Sequence, residues 1–215
     1  MEMNMKKLIS IAVAASMMLI GTTAFAQASI GAGYINETNK AKLGDTNRNL
    51  GSMNGFYAGI GYDINEGVGF GINTGVYYSY LTGQLLSLVD IVEHAINIPV
   101  KPGFSATLGN GLKGFVNAGP TFVCGLSSQI KPLGVAIDNY DHEFLGRFDI
   151  MVGGTIGVEI NDMFRVNASY DFGVLDQFGE SANGLLEHIG LKNGGSGNSL
   201  NLNRSRITIG AALLF

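Results

Sequence analysis

The sequence predicts an all-β fold: an eight-stranded antiparallel up-and-down transmembrane β-barrel, preceded by a cleavable signal peptide. Three observations predict it. Eight segments alternate with period two, the repeat of a strand. The connections between them alternate strictly between long and short. The two faces differ in chemistry, one bulky and apolar, the other rich in glycine and carrying the charges.

The leader comes first. Lys6 and Lys7 precede the apolar run Leu8 to Gly21, and "TTAFAQ" follows, with Ala24 and Ala26 as the small residues a signal peptidase requires. Cleavage after Ala26 divides the chain into a signal peptide, 1–26, and a barrel domain, 27–215. The run is shorter than the ~20 residues of a membrane-spanning helix. Without the leader, 16 acids stand against 11 bases. That mildly acidic balance excludes a general nucleic-acid footprint. Cys124 is the only cysteine, so no internal disulfide forms. Mean hydropathy is positive, yet no later stretch approaches ~18 uninterrupted apolar residues. The apolar surface must be spread over strands.

The first strand sets Ala28, Ile30, Ala32 and Tyr34 against Ser29, Gly31 and Gly33. In the second, Phe56, Ala58, Ile60 and Tyr62 oppose Tyr57, Gly59, Gly61 and Asp63. The third runs from Val68 to Tyr80, with Gly69, Gly71, Asn73, Gly75, Tyr77 and Ser79 on its small-residue face. The fourth and fifth, about 95–106 and 114–126, contain Pro99 and Pro120, a residue normally confined to edges and bulges. The sixth is "FDIMVGGTIGVEI". Asn161 and Asp162 make a tight turn into the seventh, Phe164 to Phe172. The eighth ends the chain. Expected long loops are Glu37 to Met53, Leu81 to His94, about Ser127 to Gly146 and about Leu175 to Leu202; the short turns are 65–67, 109–111 and 161–162. The stretch "LLSLVDIVEHAI", 85–96, has the spacing of a short amphipathic helix and reads equally as an extended strand top.

Two architectures hold such strands, a soluble barrel with apolar residues inside and a membrane barrel with the pattern inverted. Charge decides. Asp149, Glu159, Arg165, Asp171, Arg204 and Arg206 share the glycine-rich face, which suits the narrow interior of eight strands. None of the 11 Lys and Arg residues falls on the bulky face of this register. A Lys or Arg there would cost about 2–4 kcal/mol at mid-bilayer. Unpaired strand edges are excluded from hydrocarbon, so the last strand must pair with the first. Tyr34, Tyr62, Tyr78, Tyr80 and Tyr170 lie near strand ends, where an aromatic girdle belongs. The expected location is the bacterial outer membrane, with both termini in the periplasm.

The order of several motifs resembles the PorT-like outer-membrane β-barrel family, within the small OmpA/OmpX-type barrels. "INIPVK" (96–101), "NAGPTF" (117–122) and "FDIMVGGTIGVEI" followed by "FRVNASYDFGV" are similar to that family's strands. Asn97 replaces a usual Glu, and Val123 and Cys124 replace a more glycine- or aromatic-rich stretch. The resemblance implies fold and location. It also implies that Ile207, Ile209, Ala211, Leu213 and Phe215 form the terminal signal read by the barrel-assembly machinery. Some members belong to a secretion and gliding apparatus.

Function classes follow. The six lumen charges read as a structural salt-bridge network, because buried charges must pair; a gated pore is the alternative. A lipid-modifying enzyme would need His with Ser or an acid at the lipid-facing rim. His142 and His188 sit beside acids in loops, Ser181 and Ser196 in the last loop, and His94 reads as a rim residue. "GVGFG" (67–71) and "NGGSGNS" lack the Lys-Ser/Thr of a phosphate loop. No catalytic, cofactor or metal residue is assigned. The expected partners are outer-membrane lipid, the assembly machinery and envelope proteins reached through the loops, with no nucleic acid. The function is non-enzymatic: surface binding or adhesion, envelope integrity, or membership of an envelope complex. Deleting Phe215 is expected to reduce the heat-modifiable, folded fraction in membranes at least several-fold while expression stays constant. A folded fraction equal to that of the full chain would remove the assembly role.

Overall fold

The computed structural model describes residues 26–43, 46–64, 68–85, 89–131, 137–138, 146–175 and 200–215. The leader expected before Ala26 lies outside them. The strands are β1 (Ala26–Leu43), β2 (Thr46–Ile64), β3 (Gly69–Leu85), β4 (Val89–Gly109), β5 (Leu112–Lys131), β6 (Ile137–Asp138), β7 (Phe148–Ile160), β8 (Phe164–Gly173) and β9 (Leu200–Leu214). Eight of them form the ring β4-β3-β2-β1-β9-β8-β7-β5, closed by β4 on β5, with every pairing antiparallel. The two-residue β6 pairs only with Gln129 and Ile130 on the outer part of β5.

Closure depends on the seam between β1 and β9, which pair from Ser29↔Leu214 to Leu43↔Leu200. The Phe215 N–H extends the seam by donating to Ala28 O at 2.8 Å. Its ring faces outward and is 69 % exposed. Following the cross-strand partners of Tyr80 through Phe56, Tyr34, Ile209, Ala168, Ile156, Val116 and Phe104 returns to β3 at Phe70. The offset gives a shear of ten for eight strands, which tilts them by about 40°. Every residue on that path faces outward.

The expected faces are present. Ile30, Phe56, Ile60, Phe70, Phe104, Val116, Ile156, Val166, Ile209 and Leu213 are exposed, while Ser29, Asp63, Asp149, Glu159, Arg165 and Arg206 are buried inside. Aromatic residues edge the apolar belt. Tyr34, Phe56, Tyr80, Phe148 and Phe172 lie toward the loop end, and Phe70, Phe104, Phe164 and Phe215 toward the turns. No charged side chain lies between these two edges among the described residues. Asn161 and Asp162 have φ of 52° and 51°, the type I′ geometry that a two-residue hairpin requires.

Four expectations need correction. The polar stretch Glu37 to Met53 is not a loop: β1 continues to Leu43, β2 begins at Thr46, and only 44–45 separate them. The stretch 81–94 is likewise strand on both sides of 86–88, so 89–96 is extended and not helical. Ser127 to Lys131 continues β5. Pro99 and Pro120 end nothing. The β3–β4 ladder passes from Thr74↔Val100 to Tyr77↔Asn97, and the β4–β5 ladder from Pro99↔Thr121 to Gly103↔Asn117, in unchanged register. A missing N–H removes one bond from a ladder; partners on both sides keep the strand in place. Because the strands are longer than expected, Lys40 lies outward on β1, above the apolar belt.

The glycine-rich interior has a specific purpose. Tyr57 and Tyr77 point inward and pack edge to face, with ring centroids 5.7 Å apart. A Cβ added at Gly59, Gly61 or Gly75 would overlap Tyr77, and one at Gly33 or Gly210 would overlap Tyr57. The glycines are the seats of two rings. Gly210→Ala is therefore expected to destabilise the barrel by about 1–3 kcal/mol through overpacking, read as earlier thermal unfolding. Adding Tyr57→Phe, which removes the overlapping hydroxyl, should restore part of the loss. Strictly additive effects in the double variant would break the proposed contact.

Candidate functional site

The lumen is the site with the most chemistry, and the alternation of each strand decides which residues enter it. Charges from seven strands meet there in three layers. At the loop end, Arg206 of β9 donates from Nε to Glu37 Oε2 at 2.9 Å and from Nη1 to Asn97 Oδ1 at 2.6 Å. Arg204 Nη1 donates to Glu93 Oε1 at 2.7 Å, from β9 to β4 across the barrel. It also lies 3.5 Å from Glu37 Oε1. Asn97 in turn donates to Ser79 Oγ at 2.8 Å.

In the middle, Lys101 of β4 reaches Asp171 of β8 with a 2.6 Å ion pair and touches Thr155 Oγ1 at 3.3 Å. Ser169 donates to the other Asp171 oxygen at 3.2 Å. At the turn end, Arg165 Nε donates to Glu159 Oε1 at 3.0 Å, and Nη2 pairs with Asp63 Oδ2 at 2.7 Å. Lys113 bridges Glu159 and Asp162 at 3.1 and 3.3 Å. The Arg165 guanidinium also lies over the Phe115 ring, 5.0 Å from its centroid. Between the outer layers is a polar cavity of ≈ 110 Å³, lined in part by Tyr57, Tyr77, Asn73 and Asn167. It has room for several waters, and charge layers flank it on both sides. Apolar clusters share the loop half of the lumen: Ile35, Met53, Leu81 and Ile91 in one, Ala95, Val123 and Met151 in another.

All six charges singled out from sequence lie inside, but they do not form one cluster. Arg204 and Arg206 belong to the loop layer, Asp171 to the middle, Glu159 and Arg165 to the turn layer. Asp149 is 2 % exposed, and neither of its oxygens has a hydrogen-bond partner among the described residues. Sequence reasoning missed the opposing half, namely Glu37, Asp63, Glu93, Asn97, Lys101 and Lys113. The signal was available for Asp63, already on the inward face of its strand. It was hidden for Glu37 and Glu93, which read as loop residues.

His142, His188, Ser181 and Ser196 lie outside the described residues. His94 faces outward at the loop-side rim, bonded through Nδ1 to the Tyr78 hydroxyl and edge-on to Tyr80. Among the described residues no three His, Cys, Asp or Glu side chains converge to hold a metal ion. Gly69 and Gly71 of "GVGFG" are strand residues of β3.

Comparison with known proteins agrees with this geometry. The family model of the outer membrane protein β-barrel domain matches residues 23–179. The chain belongs to that family. Its members are outer-membrane β-barrels, and the bacterial outer membrane is where this barrel resides. No curated protein sequence matches the chain. Among solved structures it is similar to the attachment invasion locus protein Ail of Yersinia pestis, at 14% identity over 88% of this chain and 99% of that one, TM-score 0.45. Neisserial surface protein A matches at 13% identity over 86% and 97%, TM-score 0.46. OprG of Pseudomonas aeruginosa matches at 11% identity over 88% and 96%, TM-score 0.44.

The turn layer can be tested directly. Arg165→Ala strands Asp63 and Glu159 in a buried site, and breaking such a pair costs about 3–5 kcal/mol. Thermal unfolding of the variant should begin at markedly lower temperature, while planar-bilayer recordings stay silent, because the ion pairs of the loop layer are untouched. Stable single-channel currents from the wild type would contradict a closed barrel.

Proposed function

We propose that this barrel is a non-enzymatic binding scaffold that presents a polar wall to a protein partner at the cell surface. One observation carries the reading: β1 to β5 continue past the aromatic edge of the apolar belt, whereas β7 and β8 stop at it. Asn36 to Leu43 alone rise about 20 Å, at ~2.5 Å per tilted residue. The outward face of this extension is polar, with Lys40 and Asp90 as its charged members. Asn36, Thr38, Ser52, Asn54, Thr82 and Gln84 stand side by side, and Asn36 donates to Asn54 Oδ1 at 2.8 Å. Such a face is costly in lipid and suited to a wet protein interface.

The lumen supports the same reading. Its layers include ion pairs that tie opposite walls, which favours a scaffold over a pore. The resemblance of the interior motifs to PorT-like barrels is compatible with a subunit of an envelope complex. The terminal strand, Ile207 to Phe215, serves assembly in this view, and the lumen charges serve stability. Capture from detergent-solubilised envelope tests it. The wild type should retain a defined partner, and Thr38→Lys with Thr82→Lys should lose it at least tenfold while remaining heat-modifiable. Equal capture by both proteins overturns the wall as the binding surface. Release of acyl chains from outer-membrane lipid that depends on His142 or His188 would replace the reading with a lipid-modifying enzyme.

A further inference from the structure

The lumen charges do not balance. Among the described side chains that face inward, the acids are Glu37, Asp63, Glu93, Asp149, Glu159 and Asp171, and the bases are Lys101, Lys113, Arg165, Arg204 and Arg206. Five acids have a basic partner within 3.5 Å. The sixth is Asp149, and both of its carboxylate oxygens lack a hydrogen bond among the described residues. Geometry and charge count single out the same residue.

Its surroundings are specific. On β7, Asp149 is paired in register with Val123 of β5. One of its oxygens lies against Gly173 of β8, beside the Arg204 backbone. The charged groups of this layer are Glu37 on β1, Glu93 on β4, and Arg204 and Arg206 on β9. Arg206 pairs with Glu37, and Arg204 pairs through Nη1 with Glu93 and Glu37. Glu93 Oε2 is a second buried oxygen without a hydrogen bond. An isolated carboxylate out of water is among the most costly buried groups and must be neutralised.

We propose that Asp149 is a binding site for one monovalent cation, a proton or an alkali metal ion, at the loop-side layer of the lumen. The excess is a single charge, so a single positive charge completes the layer. A divalent ion is disfavoured because no three ligating side chains converge among the described residues. Small size is required, since Asp149 is buried. Binding couples the closed state of the loop layer to the ions outside the cell: when the cation leaves, the Asp149 carboxylate competes with Glu37 and Glu93 for Arg204 and Arg206.

The test uses the full chain folded in detergent micelles, with thermal unfolding followed by gel migration. One arm replaces choline chloride by sodium or potassium chloride at constant ionic strength and pH 8. The other lowers the pH from 8 to 5 in choline chloride. The unfolding temperature of the wild type should rise by roughly 3 °C or more in one arm, and that arm names the cation. Asp149→Asn, a neutral residue of the same shape, should lose the rise and be at least as stable as the wild type in choline at pH 8. A wild type indifferent in both arms overturns the proposal, as does an Asn variant that keeps the full response. Arg48, whose Cα pairs with Ala41 on β1, serves as the control. A response that appears only in Arg48→Gln would assign the missing charge to that residue and overturn the cation.

Discussion

Hydrocarbon offers no partner to a backbone N–H or C=O, and this constraint organises the molecule. A sheet can meet it only by closing, so β9 must find β1 over their common length. Closure at eight strands fixes a narrow interior. The narrow interior then forces the distribution of side chains, with small residues and paired charges inside and bulky apolar ones outside. The inverted pattern is thus a consequence of the solvent. The same strands in water would bury the opposite face.

Desolvation governs the interior. Each charge taken into the lumen loses water, and mutual attraction offsets this only with good geometry and further hydrogen bonds. Some pairs meet that demand between neighbouring strands, as Arg165 does with Glu159, and others by reaching across the barrel. Lys101 to Asp171 and Arg204 to Glu93 join strands that are not neighbours in the sheet. Such pairs act as struts, holding opposite walls at a set distance while the backbone ladders hold adjacent ones. The seated rings of Tyr57 and Tyr77 do the same by shape. A lumen braced in this way is compatible with a barrel whose activity lies outside the lipid.

The sequence made the faces legible and the heights illegible. Alternation is a direct result of strand geometry, so the inward placement of Asp149, Arg165 and Arg206 could be read from parity alone. Which acid meets which base depends on the shear, and a shear of ten is a property of the closed ring that no single segment carries. The stretch Glu37 to Met53 reads as loop because above the belt the outward residues, Asn36, Thr38 and Ser52, are polar too, and the contrast between faces disappears. The stretch 85–96 misleads for the opposite reason. Ile91 and Ala95 pack inside while Val92 and Ile96 face outward, so apolar residues fall on both faces and mimic helical spacing. Prolines inside strands could not be reconciled locally, since the neighbours that hold them are distant in sequence.

The seam also constrains time. β1 is made early in synthesis and β9 last, yet they must pair with each other, and the Phe215 amide must find the Ala28 carbonyl. A contact between such distant segments pays its loop-closure entropy before it returns any hydrogen bonds, so it forms slowly. Until then β1 and β9 both present open edges, the form in which a strand recruits a foreign chain. The protein is thus at its most adhesive just before it is complete, and its journey to the membrane has to be made under escort.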